Sequence, residues 1–191
     1  MRKDRQIRCF ATEFRASENG EQRVIEGYFS VFGSTYIIAP GVEESVDSGA
    51  FDGALEDDIR ALINHETRLV LGRTTVGTLE LRVDEKGLWG RIVINTEEQD
   101  AMNLYARVKR GDVSQCSFGF DILDERREVR DDGTVHYIIL RVKLYEVSVV
   151  TFPAYTDTAV EARAEEIKQA QKRRLDAWRE KQKERLKHKW P

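Results

Sequence analysis

Two cysteines, Cys9 and Cys116, are too few for a disulfide framework and lack the spacing of a metal site. A reducing compartment is therefore the default, and no metal or other cofactor is implied. Long apolar runs are missing too: nowhere do about 18 apolar residues follow one another, and the opening MRKDRQIRCF carries positive charge with no apolar stretch behind it. Neither a membrane span nor a signal peptide is expected. Basic clusters are scarce outside the end of the chain. Between Glu161 and Pro191 eleven Lys/Arg face six Asp/Glu, a balance of +5 that leaves −8 for residues 1–160 out of a total of −3. An acidic body argues against a surface that tracks a phosphate backbone, so nucleic acid is not an expected partner.

What is present suffices for one folded domain with an appendage. Of 191 residues, 40% are hydrophobic and 34% charged, enough for a real core under a heavily charged surface. Most of residues 6–152 reads as strand, in short β-branched and aromatic stretches that alternate with polar residues and are punctuated by Gly or Asp. These stretches are Ile7–Phe14, Val24–Phe32, Ile59–Asn64, Thr75–Val83, Leu88–Ile94, Ser117–Leu123, His136–Val142 and Leu144–Phe152. Short connections predict mainly antiparallel pairing, with turns at Asp84–Gly87 and Asp131–Gly133. A helix is expected from Thr96, capped by its hydroxyl with Gln99 three residues on, to Gly111, and a shorter one near Ser48. From about Ala159 helix formers take over, with apolar residues so sparse that a solvated helix is the expectation. There is no internal repeat.

Three histidines narrow the search for a general base. His188 lies in the tail, which leaves His65 and His136. His65 ends an apolar run and faces a loop, a good position for a base, although a lone histidine is more often a hydrogen-bonded structural residue. Ser117 sits where the helix hands over to a strand and leads into Phe118-Gly119-Phe120; Gly119 leaves space for a substrate backbone. Ser114 and Cys116 compete with Ser117. The thiol is the stronger intrinsic nucleophile but faces the opposite side if the strand begins here. Glu146 stands in the apolar stretch Leu144–Val150, where a buried carboxylate needs a partner that a histidine would supply. An outward-facing glutamate is the plain alternative.

In order and spacing these segments resemble the prohead protease family of tailed bacteriophages. The pieces are Glu26–Gly33, Ser48–Phe51, Asn64-His65, Leu71–Arg73, Lys86–Leu88, Val108–Val113, Ser117–Phe120 and Leu144–Ala154. The resemblance implies a fold similar to herpesvirus capsid maturation proteases: mainly β with flanking helices, a closed antiparallel barrel. The protease domain so implied is residues 1–158, and by its composition the charged, basic segment 159–191 is a helical or partly disordered tail. It assigns Ser117 as nucleophile, His65 as base and then acid, and Glu146 as the orienting third member, with His136 as a substitute for Glu146. Its implied substrates are the scaffolding segment of the major capsid protein and the protease itself, inside the assembling prohead in the host cytoplasm, and it points to a homodimer. The family departs from this chain between Gly33 and Ser48, and at Tyr155, where asparagine is common. Backbone N–H groups after the Glu146 strand are the candidate oxyanion donors. The rival reading is a non-enzymatic barrel whose helical tail binds capsid subunits, in which His65, Ser117 and Glu146 stand apart.

Overall fold

Among the described residues the alternation of apolar and polar residues is realised as eleven strands in two sheets, whose inner faces share one core. The computed structural model describes residues 6–11, 14–19, 22–152 and 164–187. In chain order the strands are β1 (Gln6–Ala11), β2 (Arg15–Asn19), β3 (Gln22–Val31), β4 (Tyr36–Ala39), β5 (Val42–Val46), β6 (Arg60–Ile63), β7 (Glu66–Arg73), β8 (Leu79–Val83), β9 (Gly87–Val93), β10 (Gln115–Val129) and β11 (Val135–Val150). Helix α1 spans Gln99–Arg110 and α2 Ala164–Lys187.

One sheet has four antiparallel strands in the order β2-β3-β9-β8; the other runs β1-β10-β11-β5-β4, with β6 on β11 and β7 on β6. Among the described residues neither sheet closes on itself, so the architecture is mainly β with two helices. The expected antiparallel pairing holds except at the centre of the larger sheet. There β5 and β6 both run parallel to β11, at Val135–Ile139 and Glu146–Val149 respectively. The segment between β5 and β6 fills the gap along β11, where Asp47 N donates to Ile139 O and Val142 N to Ala50 O, each at 3.0 Å. Parallel neighbours must be joined by a long connection, here the chain from β6 through β7, β8, β9, α1 and β10 to β11. The shared core runs from Phe29 and Ile92 of the small sheet to Phe118 and Phe120 of the large one. Phe118 stacks on Phe120 with centroids 4.6 Å apart and meets Phe51 edge-on at 5.6 Å.

Several local expectations change. His136–Val142 and Leu144–Phe152 are one strand, because Lys143 is an exposed residue in phase with the alternation and not a break. The Thr96 cap is absent: Asn95 makes the turn, its Oδ1 accepting from Glu97 N at 3.1 Å, and the helix starts three residues after Thr96 with Glu98 at its N-cap position. Its C-terminus is as read, with Gly111 in the left-handed region at φ 89°. The short helix near Ser48 is a run of turns ending in a single 3-10 turn, Ala54–Glu56, and Thr74–Val76 is another such turn in place of the start of a strand.

The first turns of α2 are anchored. Ile167 and Ala170 are buried against Ile38, Val42, Val135 and Tyr137. Close approach is possible because Gly133 (φ 80°) closes the β10–β11 turn beneath it, where a Cβ would lie 2.8 Å from the backbone N of Arg174. The proposed boundary at residue 158 and the Pro153-Ala154-Tyr155 turn lie outside the described residues.

Candidate active site

The residues singled out above converge on one face of β10 and β11. Ser117 and Ser148 are directly opposite in the antiparallel ladder, as are Gly119 and Glu146, so all four share a face, while Cys116, Phe118, Val147 and Val149 point into the core. That pattern explains why residues 146–150 are all buried: both sides of β11 are covered here.

His65 is delivered by the β6–β7 hairpin. Asn64 and His65 are the only described non-glycine residues with positive φ, at 50° and 62°, a conformation that stores strain unless neighbours impose it. Asn64 imposes it by pairing with the end of β11: Asn64 N donates to Val149 O at 3.0 Å, and Thr151 N donates to Asn64 Oδ1 at 2.8 Å. The Thr151 N–H, first of the candidate oxyanion donors, is therefore already engaged. The other end of the hairpin is stapled by Asp58, whose carboxylate accepts from Arg73 Nε at 2.7 Å and Nη2 at 2.6 Å. Hydrogen bonding from Arg73, with help from Arg60 and Thr75, holds the Asp58 carboxyl at about 2, below its ordinary 3.8. Because the folded value is the depressed one, the staple is fully present above the unfolded value near 3.8 and is lost as pH falls through about 2. An NMR titration of the Asp58 carboxyl is expected to show that midpoint, and Arg73→Met to return it toward the ordinary value.

His65 and Glu146 are brought together. Nδ1 of His65 lies 2.6 Å from Oε1 of Glu146, whose residue is only 3% exposed. The second carboxylate oxygen accepts from the Ser148 hydroxyl at 2.7 Å, and that hydroxyl accepts from the His65 backbone N–H at 3.2 Å. With Ser148 donating to one oxygen, the other is the acceptor for His65. Nδ1 therefore carries the proton, which leaves Nε2 as the acceptor nitrogen of the ring.

Ser117 is fully buried on the neighbouring strand, and its hydroxyl donates to the carbonyl oxygen of Arg8 at 2.9 Å. The hydrogen bond it donates thus runs to β1 and not to His65. Cys116 faces the core, its thiol on the Tyr28 carbonyl at 3.0 Å, and Ser114 is exposed in the loop before β10. His136 cannot stand in for Glu146: it sits ten residues away on β11, about 30 Å along the strand, bonded to Ser45 Oγ at 2.8 Å.

The sequence model of the caudovirus prohead serine protease family matches residues 10–173. The chain belongs to that family. It is 31% identical to the prohead protease of Enterobacteria phage HK97 over 159 residues, which cover 79% of this chain and 64% of that relative, so it spans under two thirds of the relative's length. Among solved structures, the bacteriophage T4 capsid assembly protease gp21 aligns with a TM-score of 0.49 and 12% identity over 78% of this chain and 99% of the other.

Two features of this prohead protease family member escaped the sequence reading. Ser148 links His65 to Glu146; its signal was a second polar residue two positions from Glu146, hence on the same face of a buried strand. Gly119 makes room for an enzyme side chain and not for substrate: a Cβ there would overlap Glu146 Oε1 and lie 3.0 Å from Cδ. Gly119→Ala is expected to cost about 1–3 kcal/mol of stability by overpacking. By pushing the carboxylate off His65 it should also shift the imidazole nitrogen resonances of that ring. Thermal unfolding and NMR on the same preparation check both.

Proposed function

We propose that the chain is a serine endopeptidase of capsid maturation, with Ser117 as nucleophile, His65 as general base and Glu146 as the residue that orients the base. The observation that carries this reading is the part-buried 2.6 Å contact of His65 Nδ1 with Glu146. It fixes the tautomer in which Nε2 can take a proton from a serine hydroxyl. Ser117 Oγ attacks the scissile carbonyl carbon as its proton passes to Nε2. The tetrahedral species collapses to an acyl-enzyme, and the amine leaves with the proton that His65 returns. Water, deprotonated by His65, then attacks the ester, and the acid product leaves as Ser117 recovers its proton.

The substrates we assign are the scaffolding segment of the major capsid protein and the chain itself, cleaved inside the assembling prohead in the host cytoplasm so that fragments leave before DNA enters. Family membership and the similarity to the HK97 protease support this assignment. The catalytic unit we assign is residues 1–158, with the basic segment 159–191 as its tether or as a self-cleaved segment, and a closed barrel and a homodimer as the arrangement that the resemblance to herpesvirus enzymes favours. Intact mass of the major capsid protein of the same phage, followed over time with wild type and with Ser117→Ala, tests the proposal. Discrete fragments with wild type alone support it. No fragments with either chain, under conditions that permit assembly, would favour a non-enzymatic assembly module.

A further inference from the structure

The position of β1 is unexplained by catalysis. This strand forms the outer edge of the larger sheet and pairs antiparallel with β10, the strand carrying Ser117, with Cys9 directly opposite that serine. Its Arg8 carbonyl takes the one proton Ser117 has to give. The Arg8 side chain, 1% exposed, runs through the interior beside the Phe120 ring, 5.7 Å from its centroid, to Glu44 of β5. There Nη2 meets Oε2 at 2.8 Å and Nε meets Oε1, a two-pronged pair with Glu44 itself 1% exposed.

Two physical arguments make this more than an edge strand. A buried ion pair adds little net stability over an apolar pair of the same shape, but an unmatched partner is strongly penalised, so the slot discriminates for a planar cation. Extended peptides are commonly bound by adding a strand to a sheet edge, with backbone pairing for affinity and side-chain slots for selectivity. In this chain β1 does both in cis, beside the hydroxyl proposed to perform the chemistry.

We propose that the outer edge of β10 is a peptide-binding edge, selective for an extended segment whose basic residue reaches Glu44, and that β1 fills it in the resting chain. The inference rests on the assignment of Ser117 as nucleophile. Substrate enters as β1 withdraws, and the Ser117 proton is then released from Arg8 to be offered to His65. The recognised class is an extended peptide with arginine at the position of Arg8.

The test uses the full chain and a labelled peptide of the β1 sequence, Gln-Ile-Arg-Cys-Phe-Ala, read by fluorescence anisotropy. The Arg8→Ala chain is expected to bind it at least tenfold more tightly than wild type. A peptide with alanine in place of arginine should bind at least tenfold more weakly, and adding Glu44→Gln to the chain should erase that difference. Equal binding by wild type and Arg8→Ala, or no preference for the arginine peptide, overturns the proposal. If Arg8→Ala does not fold because Glu44 is left buried and unmatched, Arg8→Lys keeps a cation on Glu44 but loses the two-pronged pair that holds β1. It should bind the arginine peptide at least tenfold more tightly than wild type, and equal or weaker binding overturns the proposal. Binding requires no hydrolysis, so the arms separate. Intact, arginine-dependent binding with Ser117→Ala as active as wild type would refute the nucleophile alone. Absent binding, with Ser117→Ala inactive, would refute the peptide edge alone.

Discussion

Replacing Ser117 by alanine is expected to slow hydrolysis of the capsid protein by at least about three orders of magnitude while leaving the fold in place. The rate falls because, among the described residues, the rival nucleophiles are turned away and the Ser148 hydroxyl on the same face is committed to Glu146. Cys116 turns its thiol into the core, onto the Tyr28 carbonyl, and Ser114 is out on the loop before β10. Stability changes little, since the alanine removes one neutral hydrogen bond, to Arg8, worth about 1 kcal/mol net. For a chain of this size that corresponds to a melting shift of about 2–4 °C. Single-turnover rates with thermal unfolding on the same samples separate the two effects. An active Ser117→Ala chain together with an inactive Ser114→Ala chain would move the nucleophile to the loop.

Glu146→Gln is expected to lower kcat about 10³–10⁴-fold with KM nearly unchanged. The amide is isosteric, so packing against Gly119 survives, but its hydrogen-bonding pattern does not. Ser148 donates to one oxygen of Glu146, and in the variant the amide oxygen keeps that partner. The NH2 then faces Nδ1 of His65, which must accept, so the ring proton moves to Nε2 and the base is lost. Imidazole nitrogen shifts measured by NMR report the tautomer directly. An unchanged tautomer with a reduced rate would mean that Glu146 acts by charge alone, and an unchanged rate would remove it from the mechanism.

How much of this was legible in the sequence differs from residue to residue. Glu146 was readable because a carboxylate in a run of Val and Leu carries an energetic cost that demands a partner, and the partner is the histidine at 2.6 Å. The likeness to prohead proteases was readable from several short pieces in sequence, and the match over residues 10–173 agrees. Arg8 was not readable. Periodicity reports apolar faces, and an arginine in MRKDRQIRCF looks like one more surface charge until Glu44, 36 residues on, is placed against it. The parallel alignment of β5 and β6 on β11 was equally hidden, since strand direction is settled by distant partners and a crossover, not by the pattern within a strand. Thr96 misled for a local reason: Asn95, one residue earlier, offers the backbone a competing turn.

The last strand of the body, β11, is also the one on which β5, β6 and β10 all depend for pairing. His65 meets Glu146 across 81 positions of chain, and Arg8 meets Ser117 across 109. During synthesis, then, a ribosome must have released nearly 150 residues before His65 and Glu146 can meet. Such long-range closure is slow to form. The order of translation thus acts as a timer: a partly made chain holds Ser117 and His65 before it holds the carboxylate on which the proposed centre depends.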